Sequence, residues 1–199
     1  MKNIAVFASG TGSNFAAIIK AVQTKRLRCC VRLLVCDNPQ AGVLAKSAKA
    51  HVPAFLVQRK DFADKNGFEQ AIIGRLEQEK VDLIVLAGYM RLLSPAFVKR
   101  FAGRIINIHP ALLPSFKGTR AIEDALAYGV KITGVTVHFV DEEMDHGPII
   151  LQQAVAVKPN DTAATLAKRI HAVEHILYPK AIGLCCAEKV ELTGRNVSF

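Results

Sequence analysis

The sequence has no tryptophan, no polybasic run and no apolar stretch of membrane-spanning length. Its net charge of +9, from 26 basic and 17 acidic residues, is spread along the chain. Proteins that bind single-stranded nucleic acid combine such charge with interleaved aromatic side chains, and that pattern is missing here. The apolar segment behind Lys2 is too short for a secretory signal. We therefore expect no nucleic acid and no membrane as partner, and we expect small phosphorylated metabolites instead.

Cysteine is scarce and follows no pattern. The five cysteines fall as Cys29-Cys30, Cys36 and Cys185-Cys186, and none has the Cys-x-x-Cys or Cys/His spacing of a metal site. An odd number of cysteines without such spacing is typical of reduced thiols in a cytoplasmic protein. We therefore expect a cytoplasmic location, no disulfide framework and no structural metal.

Apolar runs alternate with amphipathic stretches in the first half of the 199 residues, of which 51% are hydrophobic. A parallel strand buried on both faces forms a continuous apolar run, as residues 83–86 do, and the stretches between such runs have helical spacing. This series predicts an α/β fold with a doubly wound, mostly parallel sheet of about seven strands and a Rossmann-like N-terminal half. We expect one domain, 1–199, with two parts at about 1–100 and about 101–199.

The element boundaries follow from the same patterns. The predicted strands are 4–8, 31–36, 54–57, 83–86, 104–108, 133–140 and 149–157, with the last two able to pair. The first predicted helix begins at a capping Ser13 or Asn14. Further helices are predicted at 42–50, 68–80, 121–128 and 162–186. Pro179 should kink or divide the last helix.

The segment Ser9-Gly10-Thr11-Gly12-Ser13-Asn14 follows the first predicted strand and opens a helix. Unpaired amides and the helix dipole at such a turn favour an anion, so the segment predicts a phosphate site. The dinucleotide fingerprint would need a third glycine where Phe15 stands, and the Walker pattern is missing. Asp37, at the end of the second strand, still leaves a dehydrogenase open. A tight turn without a ligand is the other alternative.

Asn107-Ile108-His109-Pro110 and the downstream segment 141–148 carry the side chains of an acyl-transfer site. Asn107 offers a neutral donor to a developing oxyanion, and His109 can exchange a proton near neutral pH. Asp145 can orient or charge that imidazole. Because Pro110 favours extended backbone before it, His109 should end a strand. Taken alone, the Asn-x-His-Pro string equally fits a histidine in a tight turn.

Five segments together resemble the folate-dependent formyltransferases: Gly12-Ser13-Asn14, 87–95, 107–118, 134–140 and 145–150. The resemblance extends over essentially the whole chain. Within this family, the chain most resembles the branch that formylates glycinamide ribonucleotide in purine biosynthesis. The features that carry this resemblance are the Gly-Ser-Asn loop and the short length. Formyltetrahydrofolate deformylase would be expected to carry an additional N-terminal domain, and the methionyl-tRNA enzyme an additional C-terminal one. Neither fits in 199 residues.

The resemblance implies that 10-formyltetrahydrofolate donates its formyl group to the amine of glycinamide ribonucleotide, without a metal. It assigns catalysis to Asn107, His109 and Asp145, with His109 protonated and Asp145 maintaining that state. The ribonucleotide would be bound by Gly12, Ser13, Asn14 and Glu174. The folate would be bound by Lys65, Met90, Arg91, Leu92, Leu93, Asn107, Asp141 and Asp145.

Two further histidines and the assembly complete these expectations. His146 stands where some relatives have glycine, and the sequence leaves open whether its ionisable ring shifts the titration of Asp145. His138 should support the pocket rather than take part in chemistry. We expect a monomer or a homodimer.

Three other functions remain open at this point. A metal-dependent hydrolase would use His109, His138, Asp145 and His146 as ligands. A nucleotide-binding dehydrogenase would use the first loop and Asp37. A deformylase-like hydrolase would release formate without any ribonucleotide.

Overall fold

The computed structural model covers residues 1–199 and places the apolar runs of the sequence in one seven-stranded sheet. The strands are β1 (Asn3–Phe7), β2 (Cys30–Cys36), β3 (Ala54–Leu56), β4 (Leu83–Leu86), β5 (Ile105–His109), β6 (Ile132–Phe139) and β7 (Ile149–Ala156). The helices are α1 (Ser13–Gln23), α2 (Val43–Lys49), α3 (Lys65–Gln78), α4 (Pro95–Arg100), α5 (Ala121–Tyr128) and α6 (Ala163–Cys186). A 3-10 turn at Arg59–Asp61 precedes α3, and a separate hairpin of β8 (Glu191–Thr193) and β9 (Asn196–Ser198) ends the chain.

The strand order is β3-β2-β1-β4-β5-β6-β7. The first five strands in this order are parallel, whereas β6 is antiparallel to β5 and β7 is antiparallel to β6. The prediction of an α/β fold with a mostly parallel sheet of seven strands is confirmed, as is the pairing of β6 with β7.

Helices cover both faces of the sheet, and the alternation of side chains along β1 separates two cores. Ile4 and Val6 face a cluster that includes Phe15 of α1 and Tyr178 of α6. Ala5 and Phe7 face the other side, where a second cluster includes residues of α3 and α4. This arrangement is the doubly wound architecture that the βαβ series predicts.

Helix α1 begins differently from the prediction. Its N-cap is Gly12, with φ of 73°, and no side chain caps the helix, so the predicted Ser13 or Asn14 cap is wrong. A Cβ on Gly12 would lie 2.5 Å from Val43 Cγ2. The close approach of α2 therefore requires glycine at this turn and leaves the first amides of α1 without a side-chain acceptor.

The last helix also departs from expectation. Pro179 lies inside α6 but does not divide it, since the helix runs over 24 residues without a break. Buried Tyr178, Ala181 and Ile182 pack on the sheet at either side of the proline, and this packing outweighs the missing backbone hydrogen bond. Even this longest helix lacks the apolar length needed to cross a bilayer, as do the shorter ones.

Candidate active site

The strand order reverses between β1 and β4, and a cavity of about 650 Å³ opens beyond the carboxyl ends of β1, β4 and β5. In doubly wound sheets this crevice is where ligands bind, because the loops on its two sides diverge. The predicted site residues that line it are Gly12, Ser13, Asn14, Met90, Arg91, Leu92, Leu93, Asn107, His109, Asp141, Asp145 and Glu174. The structure thus brings together residues from both halves of the sequence.

Lys65 is the exception among the predicted residues. It begins α3, does not line the cavity, and holds its ammonium 3.9 Å from the Glu69 carboxylate in the next turn. Its contact with a folate stays a prediction that this placement does not favour.

The loop after β1 is joined to the loop after β4 by Ser9. The Ser9 amide donates to the Gly88 carbonyl at 3.0 Å, and the Ser9 hydroxyl accepts from the Met90 amide at 3.0 Å. Ser9 is buried, so these bonds are shielded from water. Ser9 thereby fixes the start of α1, at one end of the cavity, relative to the cavity wall formed by Met90–Leu93.

Asn14 and Glu174 meet across the cavity wall. The Asn14 amide donates to Glu174 Oε2 at 2.9 Å, and His171, one turn earlier on α6, also contacts that oxygen at 2.9 Å. Asn14 Oδ1 is buried without a partner. Asn14 therefore links α1 to α6 through its side chain, while its backbone amide belongs to the uncapped start of α1.

Asn107 and His109 lie on the same face of β5 because they are two residues apart on a strand. Asn107 pairs with His138 across β5 and β6, with Asn107 Nδ2 3.2 Å from His138 Nε2. His138 Nδ1 donates to the Phe139 carbonyl at 2.7 Å, so in the neutral ring Nε2 accepts from the Asn107 amide. His138 thereby orients Asn107, in line with the expected supporting role.

His109 ends β5, as predicted, and is 3% exposed. Its Nε2 donates to the Phe116 carbonyl at 2.7 Å, because a carbonyl can only accept. Its Nδ1 then faces Asp145 Oδ2 at 3.3 Å. In this geometry a proton on Nδ1 turns the ring into an imidazolium paired with a carboxylate.

Asp145 is held in place by its backbone as much as by its partners. Its φ of 51° is left-handed, which costs energy for a residue other than glycine. The Gly118 amide donates to Asp145 Oδ2 at 2.8 Å, while His138 Nε2 lies 3.7 Å from Oδ1, too far for a hydrogen bond. Two residues on, a Cβ on Gly147 would lie 1.9 Å from the Phe139 carbonyl oxygen, so this close passage of the loop requires glycine.

Burial and the neighbouring Asp145 act on the pKa of His109 in opposite directions. Desolvation lowers the pKa of the ring below its ordinary 6.5, although Asp145 and the Phe116 carbonyl act to raise it. This direction favours the neutral ring, whereas the acceptor oxygens at both ring nitrogens suit the imidazolium that the sequence predicts. Burial acts to raise the pKa of Asp145, but the His138 contact, the Gly118 amide and the charge on His109 outweigh it, and the carboxyl pKa lies below its ordinary value.

His146 points away from Asp145. Its Nδ1 lies 2.7 Å from Asp141 Oδ2, while the Arg195 guanidinium approaches its other ring nitrogen. The pKa of Asp145 responds chiefly to burial, His138, Gly118 and His109. The His146 ring is engaged by Asp141 instead.

Arg91 and Asp37 form an ion pair, which the sequence patterns do not predict. Asp37 Oδ2 accepts from Arg91 Nε at 2.6 Å, and the guanidinium lies over the Phe68 ring at 5.7 Å from its centroid. Asp37 is therefore engaged by the wall of the cavity and is not presented to a ribose hydroxyl. This pairing removes the residue on which the dehydrogenase alternative depends.

No group of three or more His, Cys, Asp or Glu side chains is placed to hold a metal ion. Of the four ligands that a metal-dependent hydrolase would use, His109, His138 and Asp145 approach one another, but His146 is turned to Asp141.

Some functional positions are not singled out by the sequence patterns. Gly118, whose amide anchors Asp145, belongs to a recognised segment but has no side chain to mark it. His171 is three residues before Glu174 on α6, and that spacing is the available signal that the two share a helix face. Ser9 and Asp37 are noted in the sequence, but their partners Met90 and Arg91 are distant along the chain and no local pattern predicts these contacts.

An imidazole beside a carboxylate and a neutral amide donor, at the switch point of a doubly wound sheet, defines an acyl-transfer enzyme by fold and site. Residues 2–182 match the family model described as formyl transferase, and the chain belongs to this family. The resemblance noted in the sequence is confirmed.

Among curated relatives, the phosphoribosylglycinamide formyltransferase of Bacillus subtilis is 48% identical over 182 residues, covering 92% of this chain and 93% of that protein. The human trifunctional purine biosynthetic protein adenosine-3 is 42% identical over 97% of this chain, which spans only 19% of that protein. The crystal structure of glycinamide ribonucleotide transformylase 1 from Symbiobacterium toebii has a TM-score of 0.98 and 41% identity, covering all of this chain and 94% of that one.

A formyltetrahydrofolate deformylase from Pseudomonas syringae pv. tomato shares the fold with a TM-score of 0.92 but only 25% identity, and this chain covers 65% of it. This chain is therefore less similar to that deformylase than to the formyltransferases above.

Proposed function

We propose that this formyltransferase moves the formyl group of 10-formyltetrahydrofolate to the amine of glycinamide ribonucleotide, in the cytoplasmic synthesis of purines. The observation that carries the proposal is the arrangement of an open helix start, the Asn107, His109 and Asp145 cluster and an apolar rim along one cavity. The relatives whose names specify this reaction or purine synthesis support the same choice. All five cysteines are free, which suits a reducing compartment.

The phosphate of the ribonucleotide belongs at the start of α1. Gly12 leaves the first amides of the helix uncapped, and these amides with the positive end of the helix dipole favour an anion. The Ser13 hydroxyl adds a donor, and Glu174 lies beyond Asn14, where it can receive the amino group of the substrate. This half of the site, within about 1–100 apart from Glu174, serves the ribonucleotide.

The folate belongs at the opposite end, between Met90–Leu93 and the acidic loop 141–147. Met90 and Leu92 expose 70% and 67% of their surface, which is unusual for large apolar side chains and suits contact with an aromatic ring system. Arg91 is held by Asp37 beside them. The part at about 101–199 supplies the catalytic set and the acidic loop, with Asp141 and Asp145 on the folate side.

The chemistry between the two ends requires no metal and no covalent enzyme intermediate. The amine nitrogen bonds to the formyl carbon, the bond from that carbon to the folate nitrogen breaks, and one proton passes from the first nitrogen to the second. One N–H of Asn107 is directed to His138, which leaves the second for the developing oxyanion. His109, neutral at rest, takes the proton, and Asp145 stabilises the resulting imidazolium until the folate nitrogen receives it.

The test is an absorbance assay of folate product formation from 10-formyltetrahydrofolate, with and without glycinamide ribonucleotide. We expect product only when the ribonucleotide is present. Release of formate at the same rate in its absence would establish a deformylase-like hydrolase instead.

A further inference from the structure

The C-terminal hairpin lies outside residues 2–182, which the family model matches, yet its turn contacts His146 of the acidic loop, next to Asp145. Thr193 pairs with Asn196, so Gly194 and Arg195 form a two-residue turn, and Gly194 has the positive φ of 62° that such turns favour. Val190 and Val197 pack against the main core. The hairpin is therefore anchored at its base and presents Arg195 at its tip.

Arg195 makes two contacts with a single residue of the acidic loop. Its Nη2 donates to the His146 carbonyl oxygen at 2.5 Å, and its Nη1 lies 3.1 Å from His146 Nε2. The planar guanidinium can serve both at once because its donors form a rigid fork.

The contact continues through the His146 ring. Asp141 Oδ2 can only accept, so His146 Nδ1 carries the proton toward it at 2.7 Å, and Nε2 is left to accept from Arg195. The other oxygen of Asp141 accepts from the Glu143 amide at 3.1 Å, which closes a turn of the loop. A continuous series of hydrogen bonds thus runs from Arg195 through the His146 ring and Asp141 to the Glu143 amide.

We propose that Arg195 is a positioning residue that holds the acidic loop 141–147 in the form that completes the folate side of the cavity. This inference rests on the proposed function. Asp145 directly precedes His146 and sits in a strained backbone conformation, so a displacement of His146 also moves the catalytic carboxylate. Hydrogen bonds from an exposed guanidinium add little to global stability, so the effect of Arg195 falls on the loop rather than on the fold.

The experiment compares Arg195→Ala, Arg195→Lys and the wild-type enzyme in steady-state kinetics, together with calorimetric titration of 10-formyltetrahydrofolate in the absence of ribonucleotide. Without Arg195, the loop should spend a smaller fraction of time in the form that binds folate, and the apparent affinity for folate falls by that fraction. We therefore expect the KM and Kd for 10-formyltetrahydrofolate to rise about threefold to tenfold in Arg195→Ala. The KM for glycinamide ribonucleotide and the melting temperature should stay unchanged. Lysine should rescue part of the loss, since it can bond the carbonyl but cannot span both acceptors.

Lys189→Ala is the matched control, because it removes one exposed positive charge beside the same hairpin without touching the loop. It should leave the folate constants unchanged. His146→Ala should reproduce part of the Arg195 effect, and the double variant should lose less than the product of the two single losses.

Two results would overturn the inference: unchanged folate constants in Arg195→Ala, or a rise in both KM values accompanied by a lower melting temperature. Neither is confused with a failure of the proposed function, which would appear as absent ribonucleotide-dependent transfer in the wild-type enzyme.

Discussion

His109 is a residue on which burial and a neighbouring carboxylate act in opposite directions. Burial lowers the pKa of the ring and favours its neutral form, while Asp145, 3.3 Å from Nδ1, is placed to stabilise a positive charge on the ring. A base that is neutral at the working pH can accept a proton, and a carboxylate already ionised stabilises the product of that step. In the proposed mechanism, the charge expected from the sequence therefore forms on His109 during proton transfer.

Removing members of the catalytic set should affect turnover. We expect His109→Ala, and separately Asp145→Asn, to lower kcat by about 10² to 10⁴, with much smaller changes in ribonucleotide affinity. Their double variant should lose less than the product of the two losses, because both act in one proton transfer. Thermal melting serves as the control for folding. A fully active Asp145→Asn enzyme would remove Asp145 from the mechanism.

The titration of His109 provides a second prediction. Since the pKa of the ring lies below 6.5 and the neutral ring is the base, kcat/KM should rise with pH through that pKa and be level at neutral pH. Asp145 acts to raise the pKa, so Asp145→Asn should move the midpoint of the His109 ring resonance to still lower pH, as followed by NMR. A midpoint above 6.5 in the wild type, or an upward shift in the variant, would contradict this account.

At the scale of elements, the loop from β6 to β7 depends on a contact that only glycine allows. A methyl group on Gly147 would overlap the Phe139 carbonyl oxygen. The same oxygen accepts the hydrogen bond from His138 Nδ1. Displacement of this loop carries Asp145 with it. The Asp-x-Gly pattern therefore combines the proposed catalytic carboxylate of Asp145 with Gly147, the residue that permits its position.

We expect Gly147→Ala to lower kcat by about 10²-fold, since small misplacements of reacting groups are costly, and to lower stability by about 1–3 kcal/mol through steric overlap. Gly74→Ala is the control, because Gly74 lies within α3 with open space around its Cβ direction. That change should raise stability by up to about 1 kcal/mol and leave kcat intact. Denaturant unfolding and steady-state kinetics on both variants measure the two effects. Wild-type kinetics in Gly147→Ala would refute the proposed constraint.

The elements also show what local sequence can predict. The bounds of α5 agree with the prediction because an apolar pattern is followed by Gly129, whose φ of 81° ends the helix. Helix α3 begins three residues earlier than predicted, since the side chain of Asp64 caps it before the apolar pattern starts. The cap of α1 depends on Val43, and the pairing of Arg91 with Asp37 spans 54 residues, so both lie beyond any local pattern.

Recognised motifs place nearly all predicted site residues on one cavity, because each motif sits at a strand end of the same sheet edge. Lys65 is the exception, and its assignment has only loop length behind it. The hydrogen-bond partners of His146 and the resting charge of His109 depend on burial and on distant residues. These are tertiary quantities that the sequence alone does not contain.

At the scale of the whole molecule, α6 ties the two predicted parts together. Tyr178 donates from this helix to the carbonyls of Leu86 in β4 and Ile106 in β5, at 2.8 and 3.2 Å, and is fully buried. Glu174 on the same helix contacts Asn14 in the first loop. The sheet itself continues from β4 to β5 without a gap.

We therefore expect residues 1–199 to unfold as one cooperative unit. Far-ultraviolet and near-ultraviolet circular dichroism should give coincident denaturant transitions with a single midpoint. Tyr178→Phe, which removes the two buried bonds and keeps the ring, should lower that midpoint without splitting the transition. Two separate transitions would instead mean that the parts at about 1–100 and 101–199 are independent.

The absence of tryptophan gives the three tyrosines a spectroscopic use. Tyr89 lines the cavity and packs edge-on against Phe7, Tyr178 lies in the core, and Tyr128 is 80% exposed. Protein labelled with fluorotyrosine should therefore show three fluorine resonances, reporting separately on the cavity, the interior and the solvent. Ligand entry would then be visible at one probe while the other two serve as internal standards.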